Sequence, residues 1–433
     1  MARRRRLKTL PDASRDLISE LPVEVKDRIL EYLPTRDAAR TALLSRHWNH
    51  VWLQHERLTF DCEFVQSFQQ FQDDDGRTLV NIINNILFTR AGPVKKFTLE
   101  IDTEKDPLAS PQQSDFDRWC LFLSRNGVDE LNLSLYSDRG QDYQLPFCLL
   151  SCRTVKKVIV EGPFINLPLN ACGIFSNVTS LAFLNVVFHR SVNGIASSIS
   201  IPKLEKLAFE DCQGINKFEI SSPKLEILSV ISYIYDLVHA RWLAAHLKAI
   251  KTLWLCGSSL SCMHVSMLPT AINLRVLKVY ELDFGCWNQF LVSMQLLQKC
   301  PNLCELWIMA DELGWEDDNE LNDAASKLLE DGSGCLFIQE MQMLNTIKIE
   351  AFSDQSELEM LFMKMLLSKS PALERVVIVK SWRRNASEVV RKIQRKLECF
   401  PRASPNAQIV CTGNEYARMS KDWMDTHGVR LVD

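Results

Sequence analysis

At 433 residues the chain exceeds what one hydrophobic core ordinarily organises, so several domains or a repeat array are expected. Its 46% hydrophobic and 24% charged content is that of a globular protein, and a net charge of −4 excludes a chain-wide nucleic-acid surface. No apolar run approaches the roughly 18 residues a membrane span needs, and no apolar segment follows the basic stretch Met1–Lys8 as a secretory signal requires.

The tail over 1–13 carries Arg3–Arg6 and Lys8, a candidate nuclear import signal or a solvated basic tail. From Asp16 onward, apolar residues recur at helical spacing through Val25, Ile29 and Leu33, with Leu30 beside them. Pro22 suits the first turn of that helix and Pro34 stops it. Thr35 is placed to N-cap a second helix carrying Ala39, Leu43 and Leu44. Ser45 then precedes a segment with Trp48 and Trp52. Some forty residues in three short helices bury too little apolar area to stand alone, so one face is expected to meet a partner.

These residues resemble an F-box: Leu21-Pro22, then Val25, Ile29-Leu30 and Leu33, then Leu43-Leu44-Ser45-Arg46 and Trp48. The resemblance covers 14–60. It implies that Leu21, Pro22, Val25, Ile29, Leu30, Leu33, Pro34, Leu43, Leu44 and Ser45 dock a Skp-type adaptor and, through it, a cullin ubiquitin ligase. Trp48 and Trp52 are expected on the opposite side, at the seam with the rest of the chain.

A polar connector rich in Gln and Asp is expected over 61–78. Leu79, Ile82, Ile83, Ile86 and Leu87 predict a helix ended by Ala91-Gly92-Pro93. One pattern then recurs: apolar, two variable, apolar, one variable, apolar. It runs Val94/Phe97/Leu99, Val128/Leu131/Leu133, Val155/Val158/Val160, Val178/Leu181/Phe183, Leu204/Leu207/Phe209 and Leu225/Leu228/Val230. It continues through Ile250/Leu253/Leu255, Leu274/Leu277/Val279, Leu303/Leu306/Ile308, Leu344/Ile347/Ile349 and Leu373/Val376/Ile378. Starts lie 21 to 41 residues apart, in or near the range of leucine-rich repeats. Each unit supplies a short strand that cannot bury its face alone. Stacked units are expected to form a curved α/β solenoid with a parallel sheet over 79–335.

The last hundred residues include Leu366–Glu374, a basic amphipathic helix with Val389, Ile393 and Leu397 on one face, and Cys399-Phe400-Pro401 through Ile409. They resemble the FBD domain of plant F-box repeat proteins. At 336–433 such a domain would close the solenoid and shield its last repeat. Asp311–Asp331, with nine acidic residues and one lysine, reads as a solvated insertion.

No phosphate-binding glycine loop, CxxC pair or GxSxG elbow is present, and the fourteen Cys read as reduced thiols of a cytosolic or nuclear protein. Cys256, Cys262 and His264 read as buried thiols beside a chance His rather than a metal site. No catalytic residue, cofactor, metal, nucleic acid or membrane is expected. The residue between the last two apolar positions of each repeat faces away from the core. That register places Trp254, Lys278, Trp307 and Lys348 in one row, with Tyr280 one pleat further on. Exposed Trp and Tyr in a concavity are the residues that anchor partners, so this row is the expected target-binding surface. The resemblance makes the chain a non-catalytic adaptor presenting a target protein for ubiquitination. The alternatives are a ligand-dependent receptor of the same architecture and a repeat scaffold outside any ligase.

Overall fold

The computed structural model describes residues 16–69, 79–102, 111–136, 143–162, 165–166, 173–189, 197–232, 240–261, 263–311, 339–352, 357–380 and 386–412. The basic run Arg3–Arg6, Cys262 and most of the acidic stretch Asp311–Asp331 lie outside them. The chain divides into two compact units, 1–141 and 142–433.

The first unit opens with α1 (Val23–Glu31), α2 (Thr35–Thr41) and α3 (Arg46–Gln54), followed by strand β1 (Arg57–Phe60). Pro22 and Pro34 are the N-cap residues of α1 and α2, each in extended backbone, so neither lies inside its helix. Thr35 is the first residue of α2, not its cap. Its Oγ1 instead accepts the Thr59 backbone N–H at 2.9 Å, tying α2 to β1. Ser45 does cap α3, its side chain accepting from Trp48 N at 3.3 Å. Next come α4 (Cys62–Gln69), α5 (Leu79–Phe88), β2 (Lys96–Asp102), α6 (Gln113–Arg125) and β3 (Glu130–Tyr136). The connector expected from residue 61 thus begins as a helix, anchored by the buried Phe64 ring against Phe60. Strands β1, β2 and β3 pair in parallel, with Leu58, Phe97 and Leu131 in one core row and Phe60, Leu99 and Leu133 in the next.

In the second unit α7 (Phe147–Leu150) precedes β4 (Lys157–Glu161), β5 (Ile165–Asn166), β6 (Ser180–Leu184), β7 (Phe188–His189), β8 (Ser197–Ser200), β9 (Lys206–Glu210), β10 (Phe218–Ser221) and β11 (Ile227–Ile231). Then follow α8 (Ala240–His246), β12 (Thr252–Cys256), α9 (Gly257–Ser261), β13 (Val276–Leu282), α10 (Trp287–Gln298), β14 (Glu305–Ala310) and β15 (Thr346–Phe352). The last elements are α11 (Glu357–Lys369), β16 (Arg375–Lys380), α12 (Ala386–Glu398) and β17 (Gln408–Thr412). Strands β4, β6, β9 and β11 to β17 form one parallel sheet in that order, while β5–β7 and β8–β10 are small parallel pairs.

The second and third apolar positions of all eleven sequence matches lie in strands, the first just before them, and the repeat is visible as hydrogen bonding. At one strand entry after another a carbonyl accepts two N–H groups of the following repeat: Glu205 O from Glu226 N (2.9 Å) and Ile227 N (3.0 Å), Lys251 O from Arg275 N (2.8 Å) and Val276 N (3.0 Å), and Cys304 O from Asn345 N (2.9 Å) and Thr346 N (3.2 Å). The core rows run without a break, one of them through Leu228, Leu253, Leu277, Leu306, Ile347 and Val376. Helices cover this face; the Phe209 ring meets Trp242 of α8 edge-on at 5.9 Å. At β13 and β15 the pairing shifts, at bulges where Glu281 and Ala351 adopt φ of 50° and 60°.

Candidate functional site

The first candidate is the helical N-terminus. Leu30 is 1% exposed and Trp48, Val51 and Trp52 are buried, while Lys26 is buried beside them with its Nζ 5.6 Å from the Trp48 ring centroid and 2.7 Å from Ser19 O. The other side is apolar and bare. Pro22, Val25, Ile29 and Pro34 are exposed, Leu43 is 88% and Leu44 60% exposed, and Leu21 and Leu33 are half-buried. Leu17, Ile18, Val23 and Tyr32 are exposed as well, Tyr32 at 76%, and the spacing argument did not single them out for docking. Their signal was simple: large apolar side chains flanking α1 on residues no core could reach.

Two of the expected docking residues do other work. Leu30 follows Ile29 by one residue, about 100° around the helix, so it turns inward and packs in the core; it is not a surface contact. Ser45 is half-buried and is committed to capping α3.

The second candidate is the row on the sheet. Pairing sets Trp254 beside Lys278, Lys278 beside Trp307, and Trp307 beside Lys348. The Lys278 ammonium is sandwiched, 4.1 Å from the Trp254 ring centroid and 3.9 Å from that of Trp307. Lys348 Nζ lies 4.6 Å from the Trp307 ring and 2.7 Å from Glu350 Oε1. The residues expected in a row are therefore in a row, with Tyr280 one pleat on beside Cys256.

Their exposure is different from expectation. Trp254 is 1% exposed and Lys278 is buried, so neither is an open contact. The cause is the neighbouring registers: Ile159, Ala182, Leu184, Ala208, Ile231 and Cys256 are apolar on this face too and form a buried cluster with Trp254. Tyr280, Trp307 and Met309 pack half-buried against its margin. A lysine held between two indole rings repays part of its desolvation through the ring quadrupoles.

Carboxylates gather at the strand exits. Burial, with Asp211 and Glu161 nearby, pushes the Glu210 carboxyl up to about 7. Burial, with Asp311 and Asp211, does the same to Glu281, also to about 7. Burial pushes the Cys212 and Cys300 thiols up to about 12, which leaves them protonated and unreactive at neutral pH. Among the described residues no group of three His, Cys, Asp or Glu side chains is placed to hold a metal ion, and no helix is long and apolar enough to cross a membrane.

Comparison with known proteins agrees with this anatomy. The F-box domain model matches residues 18–60, which span α1 to β1. An F-box/FBD/LRR-repeat protein of Arabidopsis thaliana is 27% identical, the match covering 92% of this chain and 98% of the relative. An F-box/LRR-repeat protein of the same plant is 24% identical over 85% of this chain and 89% of its own length. A second F-box/LRR-repeat protein is 27% identical over 69% of this chain and 60% of its own length. The chain thus carries an F-box domain at its N-terminus and is similar over most of its length to the F-box/FBD/LRR-repeat proteins of Arabidopsis.

Proposed function

We propose that the chain is the target-recognition subunit of a Skp–cullin–F-box ubiquitin ligase. The observation that carries this is the bare apolar surface of Pro22, Val25, Ile29, Leu43 and Leu44 inside the stretch that matches an F-box. Exposed apolar patches on otherwise well-packed structure mark partner surfaces, and F-box domains generally bind Skp-type adaptors. Helix-in-groove burial of such a face supplies affinity without any chemistry of its own.

In this reading the chain is non-catalytic. It raises the local concentration of a target protein near a ubiquitin-charged enzyme borne by the cullin. We place target contact on the half-buried margin of the sheet row, at Tyr280, Trp307 and Lys348, with Lys278, itself held against Trp254, supporting Trp307 from the side. A cytoplasmic or nuclear site of action accords with this role.

Co-expression with a Skp-type adaptor tests the docking half. The wild-type chain should co-purify with the adaptor, and Val25→Asp with Ile29→Asp should not. Equal capture of adaptor by both chains sinks the assignment. Trp307→Ala should lose target proteins found by proximity labelling while keeping the adaptor; unchanged labelling places the target surface elsewhere.

A further inference from the structure

The stretch that matches the F-box ends inside the sheet. Residues 57–60 are its last four residues, and they are also strand β1, paired in parallel with β2 from Arg57↔Lys96 to Phe60↔Leu99. No linker separates helices from sheet at this point. The register also shows what β1 is. His55, Leu58 and Phe60 occupy the positions that hold three apolar residues in the repeats of the eleven matched strands, so β1 is a degenerate repeat with a histidine in the first place.

That histidine is buried, with 4% exposure, and its Nδ1 lies 2.8 Å from Oδ1 of Asp27 on α1. A repeat position that elsewhere only fills the core here reaches back to the helix bearing Val25 and Ile29. The His55 carbonyl accepts a hydrogen bond from Arg90 Nη2, just past the end of α5. The Arg90 guanidinium stacks 4.8 Å from the ring centroid of Trp52 on α3, and its Nε and Nη1 are buried without a hydrogen-bond partner. Burial lowers the guanidinium to about 10. A half-buried cation with two unused donor atoms is costly, and an aliphatic residue would pack the Trp52 ring without that cost. Beside it, Ala91 N and Gly92 N both bond Leu53 O, at 3.0 and 3.2 Å. A Cβ on Gly92 would stand 2.9 Å from the Gln54 Cα, so only glycine allows this approach.

We infer that Asp27, His55, Arg90 and Trp52 act together as a clamp that sets the angle between the adaptor-docking face and the first strands of the sheet. The functional meaning of that angle rests on the proposed ligase role; the clamp itself does not. These are positioning residues: His55 acts through Asp27 on α1, and Arg90 through Trp52 on α3.

The test is hydrogen exchange on the full chain, alone, for wild type, His55→Leu and Arg90→Gln. His55→Leu supplies the apolar residue that the eleven matched repeats have, so β1 still packs while the bond to Asp27 is lost. Amides of 23–31 and 46–56 should exchange about tenfold faster in both variants, while those of 97–101 and 131–135 keep wild-type protection. Arg90→Lys keeps the charge but loses the planar stacking surface, and should fall between. Unchanged exchange in the helices of both variants overturns the clamp. So does equal loss of protection in β2 and β3, because these residues would then be ordinary core. Adaptor capture is measured in parallel. Its absence in the wild type refutes the ligase reading and leaves the exchange result to judge the clamp.

Discussion

Two apolar surfaces of this molecule have opposite fates. On the N-terminal helices Val25, Ile29, Leu43 and Leu44 stand in solvent. On the outward face of the sheet Ile159, Ala182, Ala208 and Trp254 are buried in a second cluster, opposite the helix-covered core. Spacing alone reads both as surface, since each set lies on the side away from a recognisable core. What separates them is the neighbouring register. The helical face alternates with polar residues such as Glu24, Arg28 and Glu31, whereas β6, β9 and β11 are apolar on both sides, as Leu181-Ala182-Phe183-Leu184 shows. Strands apolar on both faces are buried on both faces.

The largest effect that sharpens this contrast is on stability. Trp254→Ala should cost about 3–5 kcal/mol in urea unfolding, as large aromatic truncations in cores do. Leu43→Ala should cost less than about 0.5 kcal/mol. If the two changes cost the same, the surfaces do not differ as described.

The next effect is a pH dependence confined to the sheet unit. Glu210 and Glu281 titrate near 7 folded and near 4.5 unfolded. Between those values the folded chain holds more protons, so stability falls as pH rises from about 4.5 to 7. The loss should be of the order of 2 kcal/mol after discounting Glu281, which is partly solvated. Glu210→Gln should flatten much of the slope and stabilise the chain at pH 8. A melt series from pH 5 to 8 that is equally steep in that variant contradicts the assignment.

The smallest effect is at a bulge. Ala351 sits at φ 60°, where a Cβ is strained, so Ala351→Gly should stabilise by roughly 0.5–1 kcal/mol. Destabilisation on thermal melting would show that Ala351 is not strained.

Much of the fold was legible because the repeat couples chemistry to spacing: every apolar triplet from Val94 to Ile378 became a strand. β1 escaped because His55 takes the place of an apolar residue, and what fills that place is a partner on α1, which no local pattern can show. β17 escaped because Asn406 stands where the apolar triplet begins. On the bare helical face, Val25 and Ile29 were legible from helical spacing. Leu30 was misassigned because family resemblance marks positions rather than directions. For the sheet row, adjacency followed from the register, but burial depends on the packing of several strands at once.

The proposed ligase role requires the bare helical face to dock a Skp-type adaptor. Calorimetric titration of the purified chain with such an adaptor tests it most directly, comparing wild type with Leu43→Asp combined with Leu44→Asp. The wild type should bind saturably, the variant at least about a hundredfold more weakly, and the two chains should give matching thermal melts. Equal affinity for the adaptor in both, or no binding by a folded wild type, would contradict it.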